Sequence, residues 1–351
     1  MATFTTFTPG DTVDSIDRVF TSAWSGNVND LTTSHFSSST QYVTTSPTSS
    51  GAFYMDIFNK NPHTDDTAEA QYAIAYGHIK GSGSRDFSTG AGATGFSAAK
   101  SVYNQYRNLV FGGDETQNFS FNGHTPDDIY IINVNRARYK NALRMGNLNL
   151  TLSGSGATRL LSLTDDSVTT SGSANAIRPG VGREFNLVSG SDGVRQGNNN
   201  TYVTDSGSYG FVYPDAGFLI LNGDALNASA NDFGINLGIG RSPNTSDENP
   251  VKLQNALIGG GNFQLDAQED ISSKFYFARV KNQEFNYTTN DSFALDDGTL
   301  RHDSMIDNPE TYITTVGLYN DNQDLLAVAK LSQPLPKDFT KEALIKVKLD
   351  Y

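Results

Sequence analysis

Four adjacent acidic pairs are the first residues in this chain whose types could do chemistry: Asp65-Asp66, Asp127-Asp128, Asp165-Asp166 and Asp296-Asp297. Two carboxylates held roughly 5–10 Å apart can hydrolyse a glycoside, one as acid and the other as base or nucleophile. Adjacent residues do not supply that separation by themselves, and the neighbours are turn formers, as in Thr164-Asp-Asp-Ser167 and Asp296-Asp-Gly298. Capping of loops and turns is the expected use, with calcium held by one such loop as the other chemistry available. The five histidines, His35, His63, His78, His124 and His302, are scattered, and no two share a ligand spacing on one expected element. The absence of cysteine removes disulfides, thiol catalysis and thiolate metal sites together.

Gly90-Ala-Gly92-Ala-Thr-Gly95 satisfies G-x-G-x-x-G and precedes a helix expected from Ser97, the arrangement a dinucleotide pyrophosphate would need. The fingerprint also requires a buried strand feeding the glycines, and residues 81–89, GSGSRDFST, are polar and loop-like. A flexible Gly/Ser loop is the expected reading. GxxxxGK[ST], G-x-S-x-G, HExxH and EF-hand spacings do not occur. The residues therefore predict no cofactor, no metal and no enzyme.

One cluster contradicts the global charge. The chain carries 25 Lys+Arg against 38 Asp+Glu, a net charge of −13, yet Arg136, Arg138, Lys140 and Arg144 crowd one short segment. Read as a helix over about 135–145, that segment places 136, 140 and 144 along one face, with 138 offset. It is either a solvated face paired with nearby carboxylates or a docking surface for an acidic neighbouring subunit. These four residues are the candidate subunit interface. The acidic balance elsewhere repels phosphates and anionic lipid, so neither nucleic acid nor membrane is an expected partner.

The elements that must position these residues are mostly strands. Asn147 to Leu152 and Ile345 to Tyr351 alternate cleanly, while Lys274–Val280, Tyr209–Tyr213, Phe218–Leu221 and Tyr312–Leu318 are aromatic or β-branched runs beside turn residues. A helix is expected over Ser97 to Phe111, with Ser97 as N-cap and Gly112-Gly113 as the stop. Thr64 to Tyr76 fits either a helix or a strand. Ser, Thr and Asn make up roughly 28% of the chain, concentrated in loop-like stretches at 32–50, 81–95, 189–208 and 223–250.

The expected fold is mainly β with a few short α-helices, an elongated multi-segment β architecture with long loops. Its expected parts are an N-terminal region 1–80, a Gly/Ser-rich loop 81–95, a central β-rich region 96–222 with two helices, a long loop or insertion 223–272, and a C-terminal β region 273–351. No run approaches the roughly 20 apolar residues of a spanning helix. The first residues lack a basic region followed by an apolar one, so a protein made and kept in a cytoplasm, or assembled there, is expected.

Several segments together resemble virion structural proteins of contractile-tailed bacteriophages, especially the large myoviruses and the cyanobacterial myoviruses. They include Phe20-Thr-Ser-Ala-Trp24-Ser-Gly, Ser37-Ser-Ser-Thr-Gln41, Phe53-Tyr-Met-Asp-Ile57, Ile131 to Lys140 running into Met145 to Leu152, and Gly210 to Gly217. The C-terminal part is the most distinctive: Phe277 to Tyr287, Thr311 to Asn320, Leu325 to Pro334 and Ile345 to Tyr351. The resemblance implies a non-enzymatic structural component of a tail baseplate, in the wedge or its periphery. Such a protein sits in the virion after assembly in the host bacterial cytoplasm, and other phage structural proteins are its partners, in multiple copies of a symmetric assembly. A neck or capsid-associated structural protein is one alternative. A receptor- or glycan-binding virion protein, with Trp24, Tyr, Asn and Asp offered to sugars, is the other.

Overall fold

The computed structural model describes residues 4–27, 30–31, 42–43, 54–60, 64–83, 97–114, 116–154, 160–195, 208–241 and 249–351. In chain order the first elements are β1 (Thr12–Ser22), β2 (Asp30–Leu31), β3 (Tyr42–Val43), β4 (Tyr54–Phe58), β5 (Ala70–His78), α1 (Ala98–Phe111) and β6 (Asp128–Val134). They are followed by β7 (Ala142–Leu143), β8 (Asn149–Ser153), β9 (Leu160–Asp165), β10 (Ala176–Arg178), β11 (Gly182–Ser191), β12 (Val194–Arg195), β13 (Gly210–Tyr213) and β14 (Phe218–Asn222). The last are α2 (Gly223–Asn227), α3 (Asn249–Gly260), β15 (Asn262–Gln264), β16 (Asp266–Val280), β17 (Thr311–Tyr319), β18 (Leu325–Lys337) and β19 (Ala343–Asp350). The protein is mainly β, with 43% strand against 16% helix.

The chain divides into two compact units, one of Met1–Arg18 with Asp270–Tyr351, the other of Val19–Glu269. The larger unit is built on a curled antiparallel half-barrel of nine strands, in the order β15-β8-β9-β11-β13-β14-β6-β5-β4, with shorter strands at its margins. Its central strands are buried on both faces, which explains why β6 and β14 read as nearly continuous apolar runs. On β6, Ile129 and Ile131 join a cluster with Tyr103 and Val110 of α1, while Tyr130, Ile132 and Val134 join Leu253 and Leu257 of α3 on the other side. Gly77 of β5 permits the approach of α1, because a Cβ there would lie 3.0 Å from the Tyr103 backbone nitrogen.

Helix α1 forms where its caps predict. Ser97 Oγ accepts from the Lys100 amide at 3.3 Å, and Gly112 takes φ 70° with its amide on the Asn108 carbonyl, closing the last turn. Thr64 to Tyr76 resolves to a strand from Ala70 onward, since period-two spacing sends Tyr72, Ile74 and Tyr76 into one core cluster.

The helix expected over 135–145 does not form. Asn135 Oδ1 caps a single 3-10 turn, Arg136–Arg138, and Tyr139 is then extended at φ −141°. Leu143 donates its amide to the Pro214 carbonyl and Arg144 to that of Asp266, so the backbone pairs with β16 instead of with itself. Ala142 and Leu143 are buried as β7 through this pairing, opposite Gln268 and Ala267, and the tertiary contact overrides the local helical spacing.

The stretch 223–272, expected as a long loop or insertion, carries α2, a 3-10 turn at Ala230–Asp232, α3, β15 and the start of β16. Leu253, Ala256 and Leu257 bury the inner face of α3, and Pro250 occupies its first turn, where a missing amide costs nothing. The Gly90–Gly95 motif, His35, His63, Ser37–Gln41 and Phe53 lie outside the described residues, as do parts of the four Ser/Thr/Asn-rich stretches.

The smaller unit holds a sheet in the order β1-β16-β19 and a separate hairpin of β17 and β18. The full length of β19 pairs with β16, from Ser273 opposite Asp350 to Val280 opposite Ala343. In the hairpin, Leu318 faces Ala327 while Tyr319 faces Leu325, so Leu326 is the extra residue of a β-bulge.

Candidate functional site

Members of the acidic pairs are engaged by neighbouring amides, hydroxyls and side-chain nitrogens. Asp65 Oδ1 accepts from the Thr67 amide at 2.8 Å and hydroxyl at 2.5 Å, and Asp297 does the same with Thr299 at 3.0 and 2.6 Å. These bonds favour the ionised form, so both carboxyls titrate below the usual range. Asp165 accepts from the amides of Gly146 and Ser167, while Asp166 takes the amide and side-chain nitrogen of Asn186. Burial outweighs those bonds at Asp166 and raises its carboxyl.

Asp128 departs from the turn-and-cap expectation: it opens β6, fully buried. Arg241 grips it with Nε and Nη2 at 3.0 and 3.1 Å and reaches Asp224 at 2.5 Å, and Asp224 in turn holds His124 Nε2 at 2.8 Å. The Tyr76 hydroxyl lies 3.4 Å from the same Asp128 carboxylate. His78 accepts from the Lys80 amide through Nδ1 at 3.0 Å, and burial lowers its pKa, keeping the ring neutral. Among the described residues no three His, Asp or Glu side chains form a group suited to a metal ion.

The four basic residues lie together on the 3-10 turn and β7 segment, with their charges largely met inside the chain. Arg138 Nη1 is 2.8 Å from Glu69, Lys140 Nζ is 2.6 Å from both oxygens of Glu269, and Arg144 Nη1 is 3.0 Å from Asp266. Arg144 also stacks over Phe20 at 4.2 Å. Arg136 has neutral partners, donating to the Tyr139 carbonyl and sitting 4.6 Å from that ring. Arg138, Lys140 and Glu69 line a cleft of about 320 Å³ together with Ser25 and Tyr139. Trp24, offered by the sequence to sugars, is buried there against Tyr72 and Phe263 and donates Nε1 to the Phe263 carbonyl at 2.8 Å.

A second surface went unmarked by motif or charge. Among the described residues, the larger unit buries 49 apolar side chains and exposes seven large ones. The smaller unit buries five (Val280, Phe293, Ala294, Leu318 and Val347) and exposes sixteen. Among the described residues, both large apolar clusters belong to the other unit. The sequence signal was present in β18: Leu326 and Val328 alternate with Ala327 and Ala329, apolar on both faces of the strand. Around the bulge, Tyr319, Leu325, Leu326 and Val328 are all exposed, Leu326 at 68%.

No family model, no curated protein and no solved structure matches this chain.

Proposed function

We propose that this chain is a structural component of a contractile-tailed phage virion, built into the tail baseplate at the wedge or its periphery, and acting by protein–protein assembly. The observation that carries the reading is the inverted burial of the smaller unit, five buried apolar side chains against sixteen exposed large ones. A free monomer rarely exposes apolar patches beyond a few hundred Å², and larger ones mark interaction surfaces. Burial at this level does not offset the conformational entropy of about 100 ordered residues, so the unit needs partners to complete it. Those partners are other phage structural proteins, and repetition in a symmetric particle lets weak contacts add.

The reading is non-enzymatic. It is supported by the use of the acidic residues, which cap turns, hold backbone amides or anchor Arg241. Locating the chain in a density map of intact particles tests the proposal. Density for it in the tail baseplate is the expected result; its absence from purified, infectious particles overturns the reading.

A further inference from the structure

We propose that the outer edge of β17 accepts an extended, uncharged strand from a different protein, which becomes the third strand of the hairpin sheet. The proposal rests on the assembly reading above and names the segment that the partner contributes.

The edges of the smaller unit are unequal. Its sheets end in four outer strands, β1, β19, β17 and β18. An outer strand leaves a row of backbone amides and carbonyls unpaired, and charges, proline and bulges are what keep such a row from pairing with another chain. β1 carries Asp14, Asp17 and Arg18, and β19 carries Lys346, Lys348 and Asp350. β18 carries Lys330, Pro334 and Pro336. It also takes both irregularities of the hairpin: Leu331 to Pro334 stand against Thr314 alone, and Leu326 is extra between the pairs of Leu318 and Tyr319. β17, Thr-Tyr-Ile-Thr-Thr-Val-Gly-Leu-Tyr, has neither charge nor proline and supplies none of the extra residues.

The bare edge is also open. Among the described strands β17 pairs with β18 alone, and no other backbone hydrogen bond among the described residues reaches Tyr312–Leu318. Tyr312, Thr314, Thr315 and Gly317 are exposed. Apart from Gly317 and Leu318 the strand is all β-branched or aromatic, the composition that favours pairing. A two-stranded ribbon is marginal by itself, and a third strand stabilises it.

The chemistry of the edge sets the occupant. In strand addition the backbone supplies the affinity, and the side chains alternate onto two faces. Both faces of β17 are uncharged, so a charge placed opposite would lose water and gain no partner. A second copy of this chain is a poor donor: three of its four outer strands in this unit are blunted, and two chains of net charge −13 repel one another. The donor is a different protein, neutral or basic beside its strand.

Amide hydrogen exchange of the purified full chain tests this with a synthetic peptide of alternating threonine and valine, as long as β17 and flanked by lysines. In large excess the peptide should slow exchange across Thr311–Tyr319 about tenfold. The same peptide with prolines in place of its valines should not. Thr314 has no register partner on β18, so Thr314→Pro puts a proline in the edge and leaves the printed pairs of the ladder in place. In that variant the slowing should disappear.

Unchanged exchange with the threonine-valine peptide, equal slowing by the proline peptide, or slowing that survives in a folded Thr314→Pro chain overturns the inference. So does a purified chain that sediments as a dimer with β17 already protected. If Thr314→Pro fails to fold, the comparison of the two peptides decides alone. The measurement needs no particle. A chain that takes the peptide but is absent from particles sinks the virion reading, and a chain found in the baseplate that takes no strand sinks this inference only.

Discussion

Lys337 donates its ammonium to the side-chain carbonyl of Asn286 at 2.7 Å, from a position with no solvent exposure. Its other two hydrogen bonds go to the backbone carbonyls of Asn282 at 2.9 Å and Asp338 at 2.8 Å, so three neutral acceptors hold one buried charge. Thr311 ties the same loop down by donating to the Phe285 carbonyl at 2.7 Å. In a unit with few buried apolar side chains, this polar knot fixes the 281–286 loop to the end of β18.

Replacing Lys337 with Met keeps the unbranched apolar stem, one atom shorter, and removes all three donors. The orphaned acceptors should cost on the order of 3 kcal/mol. Limited proteolysis should then cut within 281–310 before it cuts the larger unit. A Met variant as resistant as the wild type would show that the knot is dispensable.

Arg241 is the counterion of a carboxylate that cannot reach water. Arg241→Met leaves Asp128 buried without its guanidinium, a loss of about 3 kcal/mol, near the low end for a broken buried pair because solvent reaches the arginine. Adding Asp128→Asn should recover part of that loss, since a neutral amide tolerates burial. Urea unfolding of the three chains measures it, and a double variant no more stable than Arg241→Met would contradict the account.

Alkaline pH should destabilise the larger unit through its buried phenols. Burial raises Tyr72, Tyr76, Tyr130 and Tyr213 above the ordinary value of about 10, with Asp128 adding to the effect at Tyr76 and Glu184 at Tyr213. The stabilisation is complete below the unfolded value and is lost as pH rises from about 10 toward the folded values, because the unfolded chain releases those protons first. Tyrosinate absorbance from these four should therefore appear together with unfolding. Their ionisation at ordinary pH in a folded chain would contradict the burial.

Arg136 is the cleanest probe of the basic cluster. Reversing Lys140 or Arg144 places new carboxylates against Glu269 or Asp266 and disturbs the fold itself. Arg136 is exposed and has no carboxylate partner among the described residues. If this surface docks an acidic neighbour, Arg136→Glu should lower incorporation into particles several-fold with thermal stability unchanged. Full incorporation would assign the cluster to the internal ion pairs alone.

Much of the scaffold was legible in the residues. Ser97, Gly112 and the apolar spacing between them specified α1, because caps and periodicity act within a few residues of chain. The alternation in 147–152 and 345–351 specified β8 and β19 for the same reason. The 135–145 segment was not legible: its long-range backbone partners, Gln71, Pro214, Asp266 and Gln268, lie 64 or more positions away, and local propensity carries no information about them. The basic residues were visible as a cluster, yet their neutralisation by Glu69, Glu269 and Asp266 depends on strands brought together only by folding.

The sequence by itself determined the mainly β class, the capped helix and the absence of thiol chemistry, since these follow from residue type and local spacing. Tertiary structure alone decided which apolar strands are covered. β6 and β18 are both rich in apolar residues, but β6 lies between α1 and α3 in the middle of a sheet, while β18 belongs to a hairpin with a single neighbouring strand. Burial is a property of what packs above and below a strand, and that depends on contacts distant in the chain.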